Sequence, residues 1–164
     1  MKIESLLDAP KELGKAHQKR KSHAEHEELD FDVTSPVAGR FIVFVRVPVV
    51  LVESFSIGLR WVGDDGGAVL LRLNGDHGTH GNPDGTKVAD VAHLHAPTAQ
   101  ERAGDLVAGY EPRFATALTG CSTLPEAWER FCLEAKLAPG SKAGHIITRL
   151  HEQGAQTDLM ELLP

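Results

Sequence analysis

The chain has 164 residues, 41% apolar and 24% charged, with a formal net charge of −6. That composition suits one soluble domain with its own core. The negative balance argues against indiscriminate binding to nucleic acid or acidic membranes, which needs positive potential at least locally.

Residues 3–23 read as helix in two pieces parted by Pro10, so that 1–27 forms a helical N-terminal arm. ELDFDV (28–33) and VESFSIGLRWV (52–62) alternate with period two and read as strands. RFIVFVRV (40–47) reads as a strand with Val43, Val45 and Val47 on one face and Ile42 and Phe44 on the other, and AVLLRLN (68–74) returns as a partner strand after the GDDGG turn. The connections between them are short, and SPVAG and GDDGG supply turn chemistry, so antiparallel pairing is expected. VADVAHLHA (88–96) reads as a further extended segment. Residues 97–121, interrupted by Gly104, Gly109, Pro112 and Gly120, read as loop with a broken helix. STLPEAWERFCLEAKL (122–137) is the clearest helix, capped by Ser122 or Thr123 with Pro125 in its first turn. Residues 138–144 form a linker and 145–163 a last amphipathic helix, with a break at Gly154.

The expected fold is α+β: an antiparallel sheet of four to five strands flanked by N-terminal and C-terminal helices. It forms a single domain over 1–164, with 138–164 as linker plus helix. The longest apolar run, FIVFVRVPVVLV (41–52), is broken by Arg46 and Pro48 and falls short of the roughly 20 residues that span a bilayer. The start lacks a hydrophobic signal core. A cytoplasmic location without membrane contact is expected. Cys121 and Cys132 are then reduced and pack as small hydrophobes.

Nine histidines occur, and four of them fall within 77–95, in NGDHGTHGNPDG followed by HLH. If 93–95 is extended, His93 and His95 share one face with Cβ atoms roughly 6–7 Å apart. Two imidazoles so placed reach one metal ion or one phosphate, and His77 or His80 supplies a third group. A divalent transition metal such as zinc accepts such nitrogen sets, and three protein ligands with an open position is the catalytic arrangement. His77, His80, His93 and His95 are therefore the candidate metal ligands. Asp76, Asp84 and Asp90 are nearby carboxylates that could ligate or orient them. Without metal, paired histidines could act as general acid and base on an RNA 2′-hydroxyl. In both cases Arg72 would neutralise phosphate. NGDHG and NPDG are also ordinary turn sequences, in which glycine need mean only positive φ. The second group, His17, His23 and His26, and the basic run KAHQKRK (15–21) read as a solvated helix face.

The runs ESFSIGLRW, LLRLNGDHGTHGNPDG, HLH and LPEAWERFCLEAKL resemble a group of small bacterial proteins known as a domain of unknown function, with an R-x-N-G-x-H-x-x-H loop followed by H-x-H. More distantly, the chain is similar to TumE-type toxins of toxin–antitoxin pairs. The matching positions are Arg72, Asn74, His77, His80, His93 and His95; the adjacent His-His of the toxin loop is absent. The toxin resemblance implies a ribonuclease.

Two functions follow as expectations. One is a hydrolase or nuclease-like protein using the histidine cluster, metal-bound or as acid and base, on a phosphate-bearing substrate or RNA, with His93, His95, His77, His80 and Arg72 as catalytic residues. The other is a non-enzymatic interaction or regulatory protein with a structural histidine loop. It would bind a protein partner through the C-terminal helix and its stripe Ile146, Ile147, Leu150 and Leu159. The position of the four imidazoles separates the two: convergence on an open concave surface favours chemistry, and a closed four-ligand site favours structure.

Overall fold

A computed structural model describes residues 1–19, 26–48, 51–64, 66–138 and 140–161, with backbone alone at 18, 19, 52, 141 and 154–161. In chain order the elements are α1 (Ile3–Asp8), β1 (Lys11–Lys19), β2 (His26–Thr34), β3 (Arg40–Pro48), a 3-10 turn over Val52–Ser54, β4 (Ser56–Gly63) and β5 (Gly66–Asn74). There follow β6 (His80–Gly81), β7 (Lys87–Val88), β8 (His93–His95), α2 (Ala99–Ala103), β9 (Ala115–Ala117), α3 (Leu124–Glu134), β10 (Leu137–Ala138) and α4 (Ser141–Glu161).

The protein is a mixed α+β structure, but four to five strands undercounts it. Eight strands form one sheet in the order β10-β1-β2-β3-β4-β5-β8-β9, and β6 and β7 form a separate hairpin. All neighbours in the large sheet run antiparallel except β1 and β10, which pair in parallel after α3 has carried the chain back.

Among the described residues the helical reading of 3–23 holds only for α1. In place of the expected helical arm over 1–27, Lys11–Lys19 form strand β1 and His26 begins β2, and residues 20–25 lie outside the described residues. The cause is a bulge. Leu13 opposes Val33 and Ala16 opposes Phe31, so β1 takes three steps where β2 takes two. Inward residues three apart imitate a helical stripe. His17 lies on this strand and donates to Asp32 at 2.7 Å, while Arg40 holds the other oxygen of Asp32 at 2.8 Å. His23 lies outside the described residues.

Cross-strand partners share a face, and the register sorts the sheet into two. Leu29, Val45, Ile57, Leu73 and Leu94 form one row across five strands, beside a second of Phe31, Val43, Leu59 and Leu71. These rows belong to one buried cluster with Leu6 and Leu7 of α1, Leu124, Trp128 and Phe131 of α3, and Ile147 and Leu150 of α4. The helices cover that face. Ile147 and Leu150, half of the stripe expected to dock a partner, are thus spent on the chain's own core; the Leu159 side chain lies outside the described residues. Cys121 and Cys132 are free and buried, and burial pushes the Cys132 thiol up to about 12, as suits a packing residue. The helix expected to break at Gly154 is continuous in its backbone to Glu161. Among the described residues no helix is long and apolar enough to cross a membrane.

The other face carries the rows Phe44–Gly58–Arg72–His95–Ala115 and Arg46–Ser56–Asn74–His93–Ala117. Polar groups buried in a sheet need partners, and this face is where they find them.

Candidate metal centre

The β5–β8 pairing sets Arg72 opposite His95 and Asn74 opposite His93. Both histidines therefore project from the polar face, as their spacing in HLH implies. His93 is fully buried and His95 is 8% exposed. What covers them is the glycine-rich loop. Gly75 starts it by donating its N–H to the Phe55 carbonyl at 2.8 Å, and Ser54 Oγ donates to the Asp76 carbonyl at 2.6 Å. Asn82 to Gly85 then form a turn, with Asp84 accepting from the Thr86 backbone and hydroxyl at 2.9 and 2.6 Å. This turn closes the β6–β7 hairpin, in which His80 opposes Val88. Asn82 fastens the hairpin to the sheet by a two-point contact with Ala115: its amide donates to the carbonyl at 3.0 Å and its oxygen accepts from the N–H at 2.8 Å.

The hairpin thus lowers His80 onto the HLH pair. Ring centroids lie 4.5 Å apart for His80 and His95, 5.8 Å for His80 and His93, and 5.2 Å for His93 and His95. One ring nitrogen from each of these three lies within 4.8 Å of the others. Zn–N bonds of 2.0–2.1 Å at tetrahedral angles put ligand nitrogens about 3.4 Å apart, so closing the triad takes ring movements of about 1.5 Å or less. His77 approaches His93 at 4.9 Å between centroids but stands outside the triad and is exposed.

Hydrogen bonds fix which nitrogens are free. His93 Nδ1 donates to the Val91 carbonyl at 3.0 Å, and His80 Nε2 donates to the Arg113 carbonyl at 3.2 Å. Each leaves its other nitrogen as a bare lone pair, the arrangement in which metal-ligating histidines are held. Asn74 agrees with this tautomer. Its oxygen accepts from Ser56 Oγ at 2.8 Å and Arg72 Nε at 3.1 Å, which turns its amide toward His93 Nε2 at 3.4 Å. That long contact is the one a metal ion would replace. Asp76 and Asp84 serve the loop's own turns instead, so backbone carbonyls rather than the nearby carboxylates orient the imidazoles.

His93 and His95 are also biased toward their neutral forms. Burial, then the neighbouring His80 and His93, then Arg72 and His77 hold the His95 imidazole down at about 4, and burial lowers His93 in the same direction. This favours lone-pair donation over acid–base exchange at neutral pH. It also sets a pH dependence in the metal-free protein. The unfolded His95 binds a proton below about 6.5 and the folded one only below about 4. Its contribution to stability is therefore complete above pH 6.5 and lost as pH falls from 6.5 toward 4, to the extent of about 3 kcal/mol. Urea denaturation of chelator-treated protein is expected to show this slope, and His95→Gln to flatten it; equal slopes would contradict the assignment.

His80 and His95, with His93 buried behind them, line a cleft of about 890 Å³ walled by the hairpin and by Gly109 to Arg113. That second wall is fastened at both ends, Gly109 to Gly67, Tyr110 to Val69 and Phe114 to Ala96 through backbone hydrogen bonds. It brings Tyr110, Glu111 and Arg113 to the site. None of the three, nor Asn82, was singled out from sequence, because irregular segments have no periodicity to read. Arg72, the expected phosphate clamp, lines the cleft with its Nε held by Ser56 and Asn74 and one Nη held by Glu111 at 3.0 Å. No protein-family model, no curated protein and no solved structure matches this chain.

Proposed function

We propose that the chain is a metal-dependent hydrolase acting on a phosphate-bearing substrate, with His80, His93 and His95 holding a divalent transition metal such as zinc. The observation that carries this reading is the triad itself: three imidazoles with nitrogens within 4.8 Å, two of them oriented by backbone carbonyls, with His80 and His95 lining an open cleft and His93 buried behind them. Three neutral ligands leave the ion's full charge and an open position. Zinc so held acidifies a coordinated water and polarises a phosphoryl oxygen. The protein's part is to position. His77, exposed beside His93, is placed to exchange a proton with solvent. Arg72, anchored in the sheet, presents its outer Nη edge to substrate charge. An open cleft favours chemistry over a closed structural site, and the ribonuclease reading enters here as one substrate class.

Zinc-, manganese- and iron-loaded protein should be assayed on aryl phosphate monoesters, aryl phosphate diesters and single-stranded RNA, with chelator-treated protein alongside. Metal-dependent turnover of one class is the expected result. Absence of turnover by every loaded form on every class would remove the phosphoester reading.

A further inference from the structure

One ion pair in the cleft joins a firmly held partner to a loosely held one. Arg72 is anchored by Nε to Ser56 Oγ at 2.9 Å and to Asn74 Oδ1 at 3.1 Å, both in the buried sheet, so only its Nη edge faces the cleft. Glu111 is 48% exposed and reaches that edge with a single oxygen at 3.0 Å. It belongs to a segment outside any regular element, and Pro112 restricts its backbone to extended conformations. We propose that Glu111 is a placeholder: in the free protein its carboxylate occupies the position at Arg72 that a phosphoryl group of the substrate takes on binding. This rests on the reading of the cleft as a phosphoester site and names the residue that sets its selectivity.

The register supports the position. Arg72 faces His95 directly across the β5–β8 pair, with Cβ atoms about 5 Å apart, so an oxyanion on the Nη edge lies beside the triad. A tetrahedral dianion can engage both Nη groups where Glu111 takes one. An ion pair this exposed shifts an equilibrium by about fivefold at most, which a dianion beside a divalent ion can overcome and a neutral ligand cannot. Glu111 therefore lowers affinity for every anion and excludes uncharged ligands, which is selectivity by competition.

The test is calorimetric titration of inorganic phosphate into zinc-loaded and chelator-treated protein, for the natural chain, Glu111→Gln, Arg72→Gln and the double variant, each checked by thermal melting. Glu111→Gln is expected to tighten phosphate binding about three- to fivefold, and the gain to shrink below about twofold in the Arg72→Gln background. Unchanged or weaker binding in Glu111→Gln overturns the proposal. An equal gain in both backgrounds also overturns it, because it assigns the effect to general repulsion. If Arg72→Gln does not fold, Arg72→Lys, which keeps the charge but loses the forked Nη edge, takes its place in the cycle. Identical titrations with and without zinc would count against the metal reading, whereas loss of the Glu111→Gln gain in both forms counts against the placeholder.

Discussion

Gly75→Ala is expected to destabilise the protein by about 3 kcal/mol or more, the upper end of overpacking costs, and to weaken metal binding at the same time. A methyl group there would overlap the Glu53 carbonyl oxygen and lie 2.9 Å from both the Glu53 carbonyl carbon and the Phe55 ring. The obstacle is backbone of the 3-10 turn, so it cannot swing aside as a side chain can. Relief means breaking the Gly75–Phe55 hydrogen bond, the tie that starts the loop over His93 and His95. Asn74, next to it, holds both Arg72 and His93. A shift here therefore reaches the triad. Gly81→Ala is the internal control: nothing lies within 4 Å of its added carbon and its φ is not positive, so a change within about 0.5 kcal/mol is expected. Chemical denaturation and zinc titration of the two variants check this. Equal behaviour would show that the loop start is not pinned as described.

Lys11→Met is expected to cost about 3–5 kcal/mol without touching the cleft. Lys11 is 1% exposed, and its ammonium donates to the carbonyls of Leu7 and Ala9, each at 2.8 Å, and of Ala135 at 3.1 Å. The first two end α1 and the third ends α3, so one side chain caps the negative ends of two helices. Desolvation lowers its pKa to about 8, which leaves it mostly charged at neutral pH. Methionine keeps the length but leaves three carbonyls without a donor, at about 1–3 kcal/mol for each one that stays buried. Denaturation midpoints measure the loss. A change under about 1 kcal/mol would mean that the carbonyls find water and that the lysine is incidental.

Lys11 also shows where sequence reading stopped. In KELGKAHQK a lysine at the start of a polar stretch reads as a solvated face, and its three acceptors come from positions 7, 9 and 135, which local pattern cannot connect. The bulge in β1 compounded this by putting Leu13 and Ala16 inward at helical spacing. The strands from 28 to 74 were legible because each buries a row of apolar residues against helices. In β2 that burial gives a period of two, and in β3, where Ile42 and Phe44 are buried on the other face as well, it gives a continuous apolar run. The same logic placed His93 and His95 together.

The alternation that puts Arg72 and Asn74 on one face was legible too, but their registration opposite His95 and His93 was not, since it depends on a pairing across 19 to 23 residues. The third ligand was harder still. His80 reaches the pair only through a hairpin of two-residue strands stitched by Asn82 to Ala115, too short to show any period. Composition marked the loop as unusual; tertiary hydrogen bonds chose which of its two histidines joins the triad.

Metal occupancy of the three imidazoles decides the proposed function. The most direct measurement is metal content by inductively coupled plasma mass spectrometry on untagged protein, with His93→Ala/His95→Ala prepared in parallel and its fold checked by circular dichroism. The account predicts about one equivalent of a transition metal per chain in the natural protein, lost in the folded double variant. No metal in either protein, after incubation with excess zinc and gel filtration, would contradict it.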